Sequence, residues 1–205
     1  MIKIVIPLYN DWDALDLLFF EIKKSVSVEL FSKLSFVIVD DCSSIPYDIQ
    51  RFSGYNLSII RLWRNVSHQK AIALGISSIT QETNFEKVIT MDSDGKDKPS
   101  NIQILYKASP LEPDKIVVAK RANRSEGLLF RMGYCFYKLL FGLLTGKVIE
   151  FGNFSILSFQ QAQKLAYVSE IWNHFQGGII HSKLPYYRIL PFQLNVGYAL
   201  QVNQK

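Results

Sequence analysis

Val88-Ile89-Thr90-Met91-Asp92-Ser93-Asp94-Gly95 is an apolar run that stops on two acidic side chains. A short Ile- and Val-containing stretch that breaks at Asp and Gly reads as a strand followed by a turn. Two carboxylates at such a strand end suit a hard divalent cation, which takes oxygen ligands. The run is not an EF-hand, because the sixth position of such a loop would be Asp97 instead of Gly and the twelfth Gln103 instead of Glu. Asp-x-Asp is frequent by chance, so a solvated turn is an equal reading of this stretch taken alone. Its surroundings decide between the two.

Outward from that run, residues 2–8, 35–40, 57–62, 87–92 and 115–119 are short apolar stretches rich in Ile and Val, the pattern of buried strands. Residues 12–24, 67–79 and 99–106 carry helical periodicity, with Ser67 placed as an N-cap and Pro99 as a first helical residue. Strands that alternate with helices predict an α/β fold with a mostly parallel central sheet and helices on both faces. Ligands of such sheets collect beyond the carboxyl ends of the strands. Three predicted strand ends carry polar clusters: Pro7-Leu8-Tyr9-Asn10-Asp11, Asp40-Asp41-Cys42-Ser43-Ser44 and Asp92-Ser93-Asp94. No Gly-x-Gly-x-x-Gly follows the first strand and no Gly-x-x-x-x-Gly-Lys-Ser/Thr occurs, which argues against a Rossmann dehydrogenase and a P-loop NTPase.

A chain of 205 residues, 48% hydrophobic, has enough apolar material for one domain with a full core. Its two cysteines, Cys42 and Cys135, show no metal-ligand spacing; they read as buried thiols in a reducing compartment. The N-terminus starts directly in a strand-like run, with no basic leader and apolar stretch before it, so a cytoplasmic location is expected. Charge is uneven. Residues 1–119 carry 13 Lys and Arg against 15 Asp and Glu, whereas residues 120–205 carry 10 against 3. The basic residues of the second part are interleaved with long aliphatic runs, which favours an anionic membrane surface over nucleic acid.

Four segments, taken in order, resemble a known family: Val5-Ile6-Pro7-Leu8-Tyr9-Asn10-Asp11, Val37-Ile38-Val39-Asp40-Asp41-Cys42-Ser43, Arg64-Asn65-Val66-Ser67-His68-Gln69-Lys70-Ala71 through Gly75, and residues 88–99. Gly152-Asn153-Phe154-Ser155-Ile156-Leu157 is a weaker fifth. The family is the family 2 glycosyltransferases of the GT-A fold, and the closest likeness is to the dolichyl- and polyprenyl-phosphate sugar transferases. The resemblance makes residues 1–160 the catalytic domain and 161–205 a C-terminal extension. It implies that Pro7, Tyr9 and Asp11 lie against the nucleotide, that Asp40 with Asp41 reads the base or ribose, and that Asn65 and Lys70 add to the donor site. Asp92 and Asp94 would hold Mg²⁺ or Mn²⁺, which stabilises the charge of a departing nucleoside diphosphate. Asp94, Asn153 and Glu150 are the candidate catalytic residues, and Arg121, Arg124 and Arg131 the candidate acceptor-phosphate ligands.

The chain departs from the family in ways that bear on the acceptor. Lys96 stands where many relatives have a Gln near the metal pair, and Asn153 where an acidic residue often precedes Phe. A sugar hydroxyl needs a base to take its proton, whereas a phosphate monoester with a second pKa of about 6 is already mostly a dianion. Arg124, Arg131 and Lys138 recur every seven residues, drifting by about 20° per step on a helix. Among the apolar residues of 121–147 they predict an interfacial helix, with a buried helix whose cations reach outward as the competing reading. His68 is read either as lining the donor pocket or as a surface histidine at a helix start; His174 and His181 are read as structural or solvated.

The leading expectation is a metal-dependent inverting glycosyltransferase, peripheral on the cytoplasmic membrane face, that moves a sugar from a nucleotide sugar to polyprenyl phosphate. One alternative is transfer to a saccharide hydroxyl in surface-polysaccharide assembly. The other is a non-catalytic or truncated subunit that needs a membrane-anchoring partner or a second copy. The basic segment that relatives carry near the end is not found in residues 192–205.

Overall fold

The computed structural model describes residues 1–82, 84–120 and 151–189. β1 (Ile2–Leu8) and β2 (Leu34–Asp40) are buried along their whole length, which is why they read as continuous apolar runs and not as alternating patterns. With β3 (Leu57–Arg61), β4 (Lys87–Thr90), β5 (Ile116–Lys120), β6 (Phe151–Ser158) and β7 (Tyr186–Ile189) they form one sheet in the order β3-β2-β1-β4-β6-β5-β7. β1 is parallel to β2 and β4, β2 to β3, and β5 to β7, while β6 is antiparallel to both β4 and β5. Six strands therefore run one way. Their carboxyl ends and the amino end of β6 share one edge of the sheet.

Helices cover both faces because successive strand residues point to opposite sides. On one face Ile4, Ile6, Phe36 and Ile38 pack with residues of α1 (Trp12–Ser25), α2 (Val28–Ser32) and α4 (Ser100–Ala108), such as Phe19, Leu30 and Leu105. On the other, Val5, Val37 and Val39 meet α3 (His68–Ile79), α5 (Phe159–Ala166) and α6 (Phe175–His181) through Ala71, Ile76, Leu165 and Phe175. The five expected strands and three expected helices are present, with ends that coincide or shift by at most two residues. Pro99 occupies the N-cap of α4 and not its first turn. Ser67 precedes α3, but its side chain makes no capping hydrogen bond.

Residues 161–189 do not stand apart from this body. α5 starts at Phe159, so the expected boundary falls inside a helix. Ile171, Phe175 and Ile179 are fully buried and β7 extends the sheet. Among the described residues no helix is long and apolar enough to cross a membrane.

Candidate functional site

Three loops leave the shared edge side by side, and the side chains of one fix the backbone of the next. After β1, Asn10 Oδ1 accepts from the Ser44 and Ile45 N–H groups at 2.8 and 3.0 Å, while the Asn10 N–H donates to Ser43 Oγ at 2.9 Å. After β2, the carboxylate of Asp41, only 3% exposed, accepts from the N–H groups of Val66 at 2.7 Å and Ser67 at 3.0 Å. That clamp ties the loop between β3 and α3 to the end of β2. Asn10, Cys42 and Ser67 have φ of 55°, 63° and 81°, a region that residues with a Cβ avoid. Strain gathered at one edge marks it as a candidate site.

Between these loops lies a cavity of about 330 Å³. Pro7, Tyr9, Asp11, Asp41 and Asn65, all expected to meet a nucleotide, line it together with Ser67, His68 and Ser93. Asp40 is not on its wall. It is fully buried, with Oδ1 accepting from the Ser43 N–H at 2.8 Å and Oδ2 3.6 Å from Arg61 Nε. Lys70 is exposed on α3, away from the lining. Cys42, expected to be buried, is half-buried because its left-handed backbone turns it out of the strand. A second cavity of about 350 Å³, beside β3, is lined by Tyr47, Phe52, Tyr55, Leu57 and other residues without formal charge and offers nothing to hold a phosphate.

The acidic pair follows β4. Thr90 pairs with Ser155 of the antiparallel β6, so two residues further on Asp92 comes opposite Asn153. Asn153 Nδ2 lies 3.1 Å from Asp92 Oδ1, and His68 Nε2 lies 3.0 Å from the same oxygen. The hydrogen bond to Asp92 raises the pKa of His68 above the ordinary imidazole value, against burial, which lowers it. Asp94 is paired with the ammonium of Lys96, whose backbone N–H also donates to Asp94 Oδ1 at 3.0 Å.

Two glutamines join this cluster. Gln176 Nε2 in α6 donates to Asn153 Oδ1 at 2.9 Å, and Gln69 Nε2 in α3 stands 3.5 Å from the same oxygen. Gln69 Oε1 also accepts from the Phe175 N–H at 2.7 Å, which ties the start of α6 to α3. The one sequence signal for Gln176 is a lone amide in the otherwise apolar Phe175-Gln176-Gly177-Gly178-Ile179-Ile180.

Asp92 and Asp94 offer hard carboxylate oxygens, the donors that Mg²⁺ and Mn²⁺ take. Among the described residues no group of three or more His, Cys, Asp and Glu side chains is placed to hold a metal ion. Asp92 and Asp94 alone would leave the remaining ligands of such a cation to phosphate oxygens and water. Glu150, Arg121, Arg124, Arg131, Lys138 and Cys135, with the expected helix over 121–147, lie outside the described residues.

Known proteins share this fold. S. aureus TarS 1–349 in complex with UDP matches at 14% identity over 92% of this chain and 60% of its own, with a TM-score of 0.54. CMP:2-keto-3-deoxy-manno-octonic acid synthetase complexed with CTP matches at 8% identity over 92% of this chain and 90% of its own, with a TM-score of 0.55. In another TarS 1–349 crystal structure the shared part is only 39% of that chain, with a TM-score of 0.47. At such identities the first two likenesses establish the fold alone. No curated protein matches the sequence. The family model of glycosyl transferase family 2 matches residues 3–167, most of the chain, and the protein belongs to that family.

Proposed function

We propose that this chain transfers a sugar, with inversion at the anomeric carbon, from a nucleotide sugar to polyprenyl phosphate at the cytoplasmic face of a membrane, with Mg²⁺ or Mn²⁺ held by Asp92 and Asp94. The observation that carries the donor half is the meeting of Asp92 and His68 with the cavity formed by Pro7, Tyr9, Asp11 and Asp41. UDP is the first donor nucleotide to test, since TarS is described in complex with UDP.

In the proposed reaction an acceptor phosphate oxygen bonds the anomeric carbon as the sugar–diphosphate bond breaks, and the bonding electrons leave with the nucleoside diphosphate. A bound Mg²⁺ or Mn²⁺ would supply positive charge to that leaving group. The loops at the strand ends hold Tyr9, Asp11 and Asn65 around the nucleotide, so that less ordering is needed on binding. Asn153 donates through Nδ2 to Asp92 and an amide takes no proton at neutral pH, so position 153 supplies no base. A phosphate dianion needs none, which favours the phosphate acceptor over a hydroxyl.

The test is incubation of the purified chain with labelled nucleotide sugars, Mn²⁺ and either polyprenyl phosphate or a lipid-linked saccharide. Label on polyprenyl phosphate, absent with Asp92→Asn although that variant melts like the parent, is the expected result. Label only on the saccharide would replace the acceptor half of this reading with hydroxyl transfer. Turnover with neither, restored by a membrane-anchoring partner, would favour a subunit that does not act alone.

A further inference from the structure

We propose that Gln176 is a positioning residue for Asp92, acting through Asn153 as a buried hydrogen-bond relay from α6 to the metal-binding turn. The metal-binding part of this inference rests on the donor-site reading above. Asn153 and Gln176 are 9% and 7% exposed, and buried polar atoms are as a rule hydrogen-bonded inside the protein.

The polarity of the relay follows from which atoms can only accept. A carboxylate oxygen only accepts and an amide nitrogen only donates, whereas an imidazole nitrogen can do either. Asp92 Oδ1, Asn153 Nδ2 and His68 Nε2 form a triangle with sides of 3.0 to 3.1 Å. If His68 carries a proton on Nε2, both it and Asn153 donate to Asp92. With Nε2 bare, the two amide hydrogens of Asn153 divide between Asp92 and His68. Asn153 donates to Asp92 in either case, so its Oδ1 must face the opposite way, toward α6. There the Gln176 amide presents Nε2 at 2.9 Å, and its own Oε1 is buried without a hydrogen-bond partner among the described residues. A glutamine that only filled space would turn whichever end found the better surroundings. This one leaves its acceptor unmet while its donor is engaged by Asn153.

The relay is anchored in regular elements at both ends. Asn153 sits in β6, two residues before Ser155, which pairs with both β4 and β5, and two after Phe151, which pairs with β5. Gln176 sits in the first turn of α6, whose start is held by Gln69 through the Phe175 N–H. Each bond of the chain Gln176→Asn153→Asp92 polarises the next, and hydrogen bonds to a ligating carboxylate set its orientation. The amide at position 153 donates to Asp92, which an ionised carboxylate, the residue type common there in relatives, could not do.

Gln176→Met keeps the length of the side chain and removes the donor. In ¹H–¹⁵N spectra of the ligand-free chain, this variant should shift the side-chain amide protons of Asn153; unchanged Asn153 resonances would overturn the relay. Calorimetry of UDP, GDP and CDP with Mn²⁺ then reads the functional consequence, using whichever nucleotide binds the parent chain. The expected loss of Mn²⁺-dependent affinity is about 10- to 100-fold in Gln176→Met, with no further loss when it is added to Asn153→Ala, since a residue acting through another is not additive with it. Additive losses, or unchanged affinity, would overturn the positioning role. Should Gln176→Met fail to fold, Gln176→Glu keeps the shape and supplies an acceptor when ionised, and the Asn153 amide signals are read in it at high pH by the same criterion. Absence of Mn²⁺-dependent binding in the parent chain would sink the donor-site reading, while the spectra still decide whether the relay exists.

Discussion

Asp41, Asp92 and Asp94 are each engaged, and their partners determine what each can do. Asp41 spends both oxygens on backbone N–H groups, which makes it the fastener of the β3–α3 loop as well as a wall of the cavity. Asp94 faces the ammonium of Lys96, with the two side chains 38% and 61% exposed. Solvent limits such a pair to about 0–1 kcal/mol, so Lys96 is a weak internal competitor for whatever cation Asp94 binds. Lys96→Gln should therefore tighten Mn²⁺ binding in the presence of UDP by up to about 5-fold, measured by calorimetry. A weaker affinity would mean that Lys96 gives its charge to the diphosphate. The placement of Asp92, Asp94, Asp41 and Pro7 to Asp11 at strand ends was legible in the sequence because an apolar, strand-like run precedes or includes each. Gln69 and Gln176 were not. Their value depends on contacts with a residue 84 and 23 positions away, and local pattern carries no trace of such a meeting.

Strand existence was readable from Ile and Val runs, but strand direction was not, because an apolar run looks the same whichever way it pairs. β6 appeared in the sequence only as the motif Gly152 to Leu157, yet its antiparallel course is what brings Asn153 to Asp92. α3 shows the reverse case, where a single residue reports its packing. A Cβ on Gly75 would lie 2.5 Å from Val5 Cγ1 and 2.8 Å from Val39 Cγ2, so this helix approaches β1 and β2 only because position 75 has no side chain. Gly75→Ala gains about 1 kcal/mol of helix propensity but overpacks a fixed core at about 1–3 kcal/mol. A lower melting temperature is expected, and Val5→Ala in the same chain, which removes the nearer clash, should restore part of it. α6 carries a pH-dependent cap: His174 Nδ1 accepts from the Gly177 N–H at 3.0 Å, which only a ring unprotonated at that nitrogen can do. Burial lowers the His174 pKa below the ordinary 6.5, so the unfolded chain takes up a proton before the folded one. The cap's stability is thus fully present above pH 6.5 and is lost as pH falls from there through the folded value. His174→Asn keeps an acceptor that does not titrate, and should flatten the melting temperature across that window. A variant as pH-sensitive as the parent would assign the sensitivity to another group.

At the scale of the whole molecule, the match to the family model stops at residue 167 and the sheet does not. β7 supplies the outer partner of β5, and the short segment before it inserts Ile171, Phe175 and Ile179, each fully buried, with Ile180 at 8% exposure. Gly178 lets α6 close on that segment, since a Cβ there would lie 2.1 Å from Ile171 Cγ2. These residues looked like an appendage in the sequence because α6 has only seven residues and β7 four, both too short for a strong periodic signal. Their contribution is nonetheless large. Four buried aliphatic or aromatic side chains at about 1.5–3 kcal/mol each amount to roughly 6–12 kcal/mol, comparable with the whole net stability of a domain, about 5–15 kcal/mol. A chain ended after Tyr167 also bares the β5 edge, an invitation to intermolecular pairing. Such a truncation should yield insoluble protein, or soluble protein without a cooperative thermal transition, whereas the chain carried through Ile189 should melt in one step. If the shorter chain melted cooperatively within a few degrees of the longer one, the segment after residue 167 would be an accessory to the fold. Gln176 would then be a late addition to a site already complete.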